Sequence, residues 1–150
     1  MVQIGESVPE IVAANQNNEQ VTLTCESPTV VYFYPEDFTS GCTIEANDFQ
    51  GTLSKFKQVG AEVFGVSMDT VATHSEFAEQ EGVDFDLLAD TDGMIGETFG
   101  LDIEGGYSDR RTFVLVHGQV SAIFNPEMSD PSGHADKVVE YIQNELSEQK

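Results

Sequence analysis

The sequence predicts an α/β layered domain, a central mixed β-sheet flanked by helices, from three observations. Five β-favouring residues in a row, Val30-Val31-Tyr32-Phe33-Tyr34, read as a central strand buried on both faces. Ala46, Phe49, Leu53 and Phe56 then recur at three- and four-residue steps, one buried helical stripe. Beyond them, strand-like and helix-like segments alternate to the end of the chain, as layered α/β domains require. The 150 residues suit one domain, 1–150, long enough to bury a core without covalent staples.

The elements follow in order. Residues 21–24 form a short strand and residues 30–34 the central one, which Pro35 stops. Residues 36–41 form a loop, and a helix begins near Cys42. Residues 62–67 form the next strand. Thr73 and Glu76 have capping-box spacing for a helix running to about Glu81. Residues 85–89 are a strand, residues 95–99 a short helix, and residues 102–109, with Gly105-Gly106, a loop. Residues 112–116 and 120–124 form a hairpin around His117-Gly118-Gln119. The last helix carries Ala135, Val138, Val139, Ile142 and Leu146 on one face. This order matches a thioredoxin-like sandwich.

Charge narrows the function classes. Asp and Glu total 27 against 6 Lys and Arg, a formal net charge of −21. Such a chain is repelled by nucleic acid and by anionic membranes at low salt. The ordered apolar runs exclude a solvating disordered tail. The acidity reads instead as that of a folded protein from a very salty cytoplasm, where a Debye length of roughly 3 Å at 1 M salt screens the crowding. No segment approaches the length of a membrane span, and MVQIGESVPE lacks the basic region and apolar core of a signal peptide, so a cytoplasmic location is expected. Two cysteines, Cys25 and Cys42, are too few for a secreted disulfide framework.

Cys42 carries the chemical interest. It follows the central strand and a loop, at the first turn of a helix, where unpaired backbone N–H groups and the helix dipole favour an anion. That setting favours thiolate, the nucleophilic form of cysteine. By position alone, an inert core cysteine fits as well. The loop Pro35-Glu36-Asp37-Phe38-Thr39-Ser40-Gly41 adds weight to the reactive reading. Thr39 lies three residues before the sulfur, where its hydroxyl can reach the sulfur or a substrate oxygen, or simply cap the helix. Pro35 fixes the exit from the strand and Gly41 permits close backbone approach. Arg110 and Arg111 are the only arginines, adjacent at a strand start. One of them can stabilise a thiolate through several N–H donors, or the two form an ordinary surface pair among many carboxylates.

The segment YFYPEDFTSGCTIEANDF resembles the active-site segment of peroxiredoxins, especially the bacterioferritin-comigratory-protein type. The family pattern Pro-x-x-x-Thr/Ser-x-x-Cys is met by Pro35, Thr39 and Cys42, and Arg110-Arg111-Thr112-Phe113 resembles the family's Arg-x-Thr/Ser-Phe strand start. The resemblance implies a thioredoxin-like fold and reduction of hydrogen peroxide and organic hydroperoxides through a Cys42 sulfenic acid. It also implies Arg110 as the catalytic arginine, with Arg111 as the fallback, and no metal or organic cofactor. The partners it implies are the peroxide and an external thiol or thioredoxin-like reductant, with the protein a monomer or homodimer.

The chain departs from that pattern at Asn47, where many members carry a resolving cysteine. Cys25 is the only other thiol. A five-residue central strand spans about 16 Å; with Cys25 near its far end, a one-cysteine cycle with an external thiol is favoured over a Cys25–Cys42 bridge. The rival to an enzyme is a peroxide sensor or thioredoxin-fold binding module. Disulfide exchange of the Cys-x-x-Cys kind is disfavoured because Glu45 takes the second cysteine's place. The spacings of Cys25, Cys42, His74, His117 and His134 match no compact zinc pattern, so no metal is expected. Glu45 either hydrogen-bonds near the site or favours the helix start electrostatically, and is given no catalytic role.

Overall fold

The computed structural model describes residues 2–23, 27–126 and 132–146. An antiparallel hairpin, β1 (Ile11–Ala14) and β2 (Gln20–Leu23), leads into β3 (Thr29–Phe33) and α1 (Ser40–Gln58). Then come β4 (Glu62–Ser67), α2 (Val71–Glu81), β5 (Asp86–Ala89), α3 (Met94–Thr98), the hairpin β6 (Arg111–Val116) and β7 (Gln119–Phe124), and α4 (His134–Tyr141), which continues as a π-helical turn over Ile142–Leu146. The main sheet has the order β5-β4-β3-β6-β7. β5, β4 and β3 pair in parallel, β6 pairs antiparallel with β3 and β7 antiparallel with β6, so the sheet is mixed, as expected.

β3 is buried throughout, the consequence of covering both of its faces. Because strand side chains alternate, Val30 and Tyr32 join the core under α1, α2 and α4, whereas Val31 and Phe33 join the opposite core, with Ile11, Leu23, Ile95 and Phe99. Phe49 of α1 stacks on Tyr32 with ring centroids 4.4 Å apart and sits 5.9 Å from Phe56. Burying such a ring contributes roughly 1.5–3 kcal/mol, and it fixes the face of α1 that looks at the sheet. Cys42 and Ala46 lie on that face too. Of the face expected on the last helix, Ala135, Val138, Val139 and Ile142 are buried, and the side chain of Leu146 lies outside the described ones.

Three local expectations are corrected. The cap of α2 is Thr70, whose hydroxyl accepts the Thr73 N–H at 3.2 Å. Thr73 is therefore inside the helix, and the Thr73–Glu76 spacing is no capping box; Thr70, three residues earlier, takes the free N–H without a Glu or Gln to complete a box. Strand β1 has no counterpart among the expected elements. Ile11 and Val12 favour a strand but Ala13 and Ala14 do not, and the four residues are held by register against 20–23. The turn of the β6–β7 hairpin is two residues long: His117 and Gly118 both have positive φ, 53° and 74°, the type I′ geometry that matches strand twist, and Gln119 belongs to β7.

Candidate active site

The topology brings the site together at the carboxyl end of β3. Phe33, the last residue of β3, pairs with Arg111, the first of β6, so Arg110 stands beside the point where the chain leaves the sheet. The loop 34–39 then turns into α1. Thr39 is its N-cap with extended backbone (φ −87°, ψ 153°), and Thr43 N–H donates to the Thr39 carbonyl at 2.9 Å. Cys42 is the third residue of α1, so it lies in the first turn, where the leading N–H groups have no carbonyl one turn earlier.

Cys42 is 1% exposed, more deeply shielded than position alone suggested. Arg110 reaches it from the neighbouring strand: Nη2 donates to Cys42 Sγ at 3.3 Å, and Nη1 donates to Glu45 Oε1 at 2.6 Å. One planar guanidinium thus spans a sulfur and a carboxylate. Burial alone would weaken Arg110 as a base, but the Glu45 and Cys42 charges raise its pKa above the usual arginine value. Arg111 turns elsewhere, donating to Asn125 Oδ1 and lying 3.8 Å from Asp109. The arrangement separates the two arginines that the sequence left as first choice and fallback.

Glu45 is the residue sequence reasoning undervalued. It is fully buried, three residues after Cys42 and so on the same helix face. Burial pushes its carboxyl up to about 7, against the opposing pull of Arg110. Glu45 Oε2 finds no hydrogen-bond partner among the described residues, which accords with the dominance of desolvation. The signal that could have found Glu45 is its i+3 spacing from the cysteine in a chain where only two arginines exist to pair with it.

Thr39 and Pro35 are both half-buried at this loop. The Thr39 hydroxyl donates to the Glu36 carbonyl at 2.8 Å, neither capping the helix nor reaching the sulfur. Its donor is thereby engaged while its oxygen lone pairs are left to accept. Behind the arginine, His134 Nε2 lies 2.8 Å from Thr112 Oγ1. Burial, with Lys137 and Arg110 adding repulsion, lowers the His134 pKa to about 4, so its ring is uncharged at neutral pH. Cys25 lies outside the described residues. No helix among the described residues is long and apolar enough to cross a membrane.

The profile of the AhpC/TSA family matches residues 4–123. A chloroplastic peroxiredoxin Q of Gentiana triflora is 36% identical over 148 residues, covering 95% of this chain and 68% of that protein. The chain belongs to the peroxiredoxin family. Two solved peroxiredoxin structures are similar throughout. Peroxidoxin BcpB of Mycobacterium tuberculosis superposes with a TM-score of 0.86 at 29% identity, covering 95% of this peroxiredoxin and 97% of that chain. The bacterioferritin comigratory protein of Xanthomonas campestris, studied for alkyl peroxide reduction, gives a TM-score of 0.79 at 31% identity, covering 89% and 90%. The expected thioredoxin-like fold is therefore the fold found, and this peroxiredoxin is a thiol-dependent peroxidase.

Proposed function

We propose that this peroxiredoxin reduces hydrogen peroxide and organic hydroperoxides with Cys42 as the nucleophile, Arg110 and Thr39 as the groups that hold the peroxide, and Pro35 as the residue that sets the loop's exit from β3. The observation that carries the assignment is the contact of 3.3 Å between Arg110 Nη2 and Cys42 Sγ, both residues being buried. An N–H of a permanent cation aimed at sulfur favours thiolate over thiol. Among buried groups the same charge is weakly screened and acts strongly on the oxygens of a bound peroxide.

A lone pair of the Cys42 thiolate attacks the terminal oxygen of R–O–O–H. The S–O bond forms and the O–O bond breaks, leaving Cys42–S–OH, with sulfur oxidised by two electrons. The bonding pair departs on the inner oxygen as alkoxide or hydroxide, which takes a proton from solvent to leave as alcohol or water. Arg110 and the backbone N–H groups of the first turn of α1 stabilise that developing charge. The Thr39 oxygen, its own proton committed to Glu36, accepts the peroxide O–H and so orients the terminal oxygen toward sulfur. Regeneration takes two equivalents of external thiol: the first displaces water to form a mixed disulfide, the second releases Cys42.

Asn47 supports a one-cysteine cycle, because it is exposed one turn beyond Cys42 and hydrogen-bonds the Thr43 carbonyl and Glu81 where a second thiol could stand. Steady-state peroxide turnover of Cys25→Ser with several thiol donors tests this, beside non-reducing gels of the oxidised protein. Near-normal turnover over many equivalents, without a protein-internal disulfide, is expected. A Cys25–Cys42 bridge with collapse of turnover in the variant would assign Cys25 as the resolving cysteine, and strictly stoichiometric oxidation would favour a sensor.

The net charge of −21 supports a salt-rich cytoplasm as the protein's setting. Folded structure, followed by circular dichroism during dialysis, should be lost below roughly 0.5 M salt as carboxylate repulsion is unscreened. Full folding and activity in dilute buffer would remove the case for halophilic adaptation.

A further inference from the structure

Beneath the loop that carries Thr39 lies a buried polar cluster with no part in the mechanism above. Asp37, one of the loop's own residues, is 3% exposed. Its Oδ1 accepts the Tyr34 hydroxyl at 2.6 Å, its Oδ2 lies 2.6 Å from His74 Nδ1, and its backbone N–H donates to Asp69 Oδ2 at 2.9 Å. His74, from α2, is fully buried, and its Nε2 lies 3.0 Å from the Leu88 carbonyl. A carbonyl can only accept, so Nε2 donates to Leu88, and Nδ1 is left for the contact with the Asp37 carboxylate. The other groups facing His74 are the hydroxyls of Tyr34 and Ser67, each at 3.5 Å, and Ser67 in turn donates to Asp69 at 2.5 Å. Asp37, Asp69 and His74 offer ligand atoms close enough together to hold a cation. Those atoms, however, are already engaged with one another and with Tyr34, Ser67 and Leu88.

The next loop residue, Phe38, has φ of 65°. A bulky side chain in the left-handed region is strained and persists only where its surroundings hold it. Phe38 is 44% exposed, so it is not drawn there by its own burial. What holds it is α2: Phe77, three residues after His74 and hence on the same face, meets the Phe38 ring edge-on with centroids 5.2 Å apart. One face of α2 therefore grips both Asp37 and Phe38, immediately before Thr39 and the start of α1.

We infer that His74 and Asp37 are positioning residues for the peroxide step, holding the strained loop so that Thr39 and the first turn of α1 face the substrate oxygens. The inference rests on the assignment of Cys42 as nucleophile. A displacement of the loop by about 1 Å can slow an oriented reaction by up to about 10²-fold. The thiol step needs no such orientation by Thr39, so it should be spared.

The test measures the two half-reactions separately by stopped flow: oxidation of reduced enzyme by hydrogen peroxide, then reduction of the oxidised enzyme by dithiothreitol. Asp37→Ala removes the acceptor of both Tyr34 and His74, while Asp37→Asn keeps a hydrogen-bonding group for each. Asp37→Ala should oxidise about 10- to 100-fold more slowly than wild type, Asp37→Asn should recover most of that loss, and the dithiothreitol step should keep its wild-type rate in both. Wild-type oxidation rates in a folded Asp37→Ala overturn the inference, as does equal slowing of both half-reactions, which is the mark of general damage. If Asp37→Ala does not fold by circular dichroism, His74→Gln is judged by the same split. Failure of wild type to oxidise at Cys42 would instead remove the underlying assignment.

Discussion

Cys42→Ser should consume peroxide no faster than the uncatalysed background while remaining folded. Among the described residues of the site, the Cys42 sulfur is the atom able to give a lone pair to the terminal peroxide oxygen at neutral pH; a serine hydroxyl there lacks both the anionic form and the polarisable lone pair. The fold should survive because oxygen for sulfur is nearly isosteric. The new hydroxyl can also still accept the Arg110 Nη2 N–H that now points at Sγ from 3.3 Å. This separation of activity from folding is what makes the variant informative, since Cys42 is 1% exposed and a bulkier change would disturb α1 against β3. Peroxide consumption, measured beside a thermal melt, reads both. Retained turnover in a folded Cys42→Ser would contradict the mechanism outright.

Arg110→Lys should lower the rate constant of the peroxide step by about 10²-fold, or ~2.7 kcal/mol, the usual effect of losing one preorganised donor to a developing oxyanion. Charge is conserved in this variant; what is lost is the planar fork that now serves Glu45 through Nη1 and Cys42 through Nη2. A lysine ammonium can meet one of these partners well, and the buried Glu45 carboxylate, 2.6 Å from Nη1, will compete for it. Arg111→Lys should have little effect, because Arg111 is engaged with Asn125 and Asp109 away from the sulfur. The comparison is made by stopped-flow oxidation of the reduced variants. A larger loss in Arg111→Lys than in Arg110→Lys would overturn the assignment.

The elements that position this site were legible where hydrophobic pattern and burial agree. The run 30–34 reads as a doubly covered strand because it is one, and the stripe from Ala46 to Phe56 reads as the face of α1 that packs on it. The candidates Cys42, Thr39 and Arg110 came from the resemblance of their segments to the peroxiredoxin motif, with the scarcity of cations drawing notice to the arginine pair. What stayed hidden depends on contacts distant in sequence. Asp37 and His74 are 37 residues apart, and neither lies in a local pattern that announces a pair. Thr39 looks from sequence like a side-chain cap, yet its hydroxyl turns back to Glu36. The depth at which Cys42 lies was also hidden, because a helix start is usually exposed and this one is met by Arg110, 68 residues along the chain.

In the proposed mechanism the Cys42 sulfur receives the peroxide oxygen. Treatment of the fully reduced protein with one equivalent of hydrogen peroxide in the presence of dimedone, followed by peptide mass spectrometry, measures this directly. The expected result is a single dimedone adduct on the peptide containing Cys42, formed at the same rate as peroxide disappears, with Cys25 unmodified. Adduct on Cys25, or peroxide consumed with neither cysteine trapped, would contradict it.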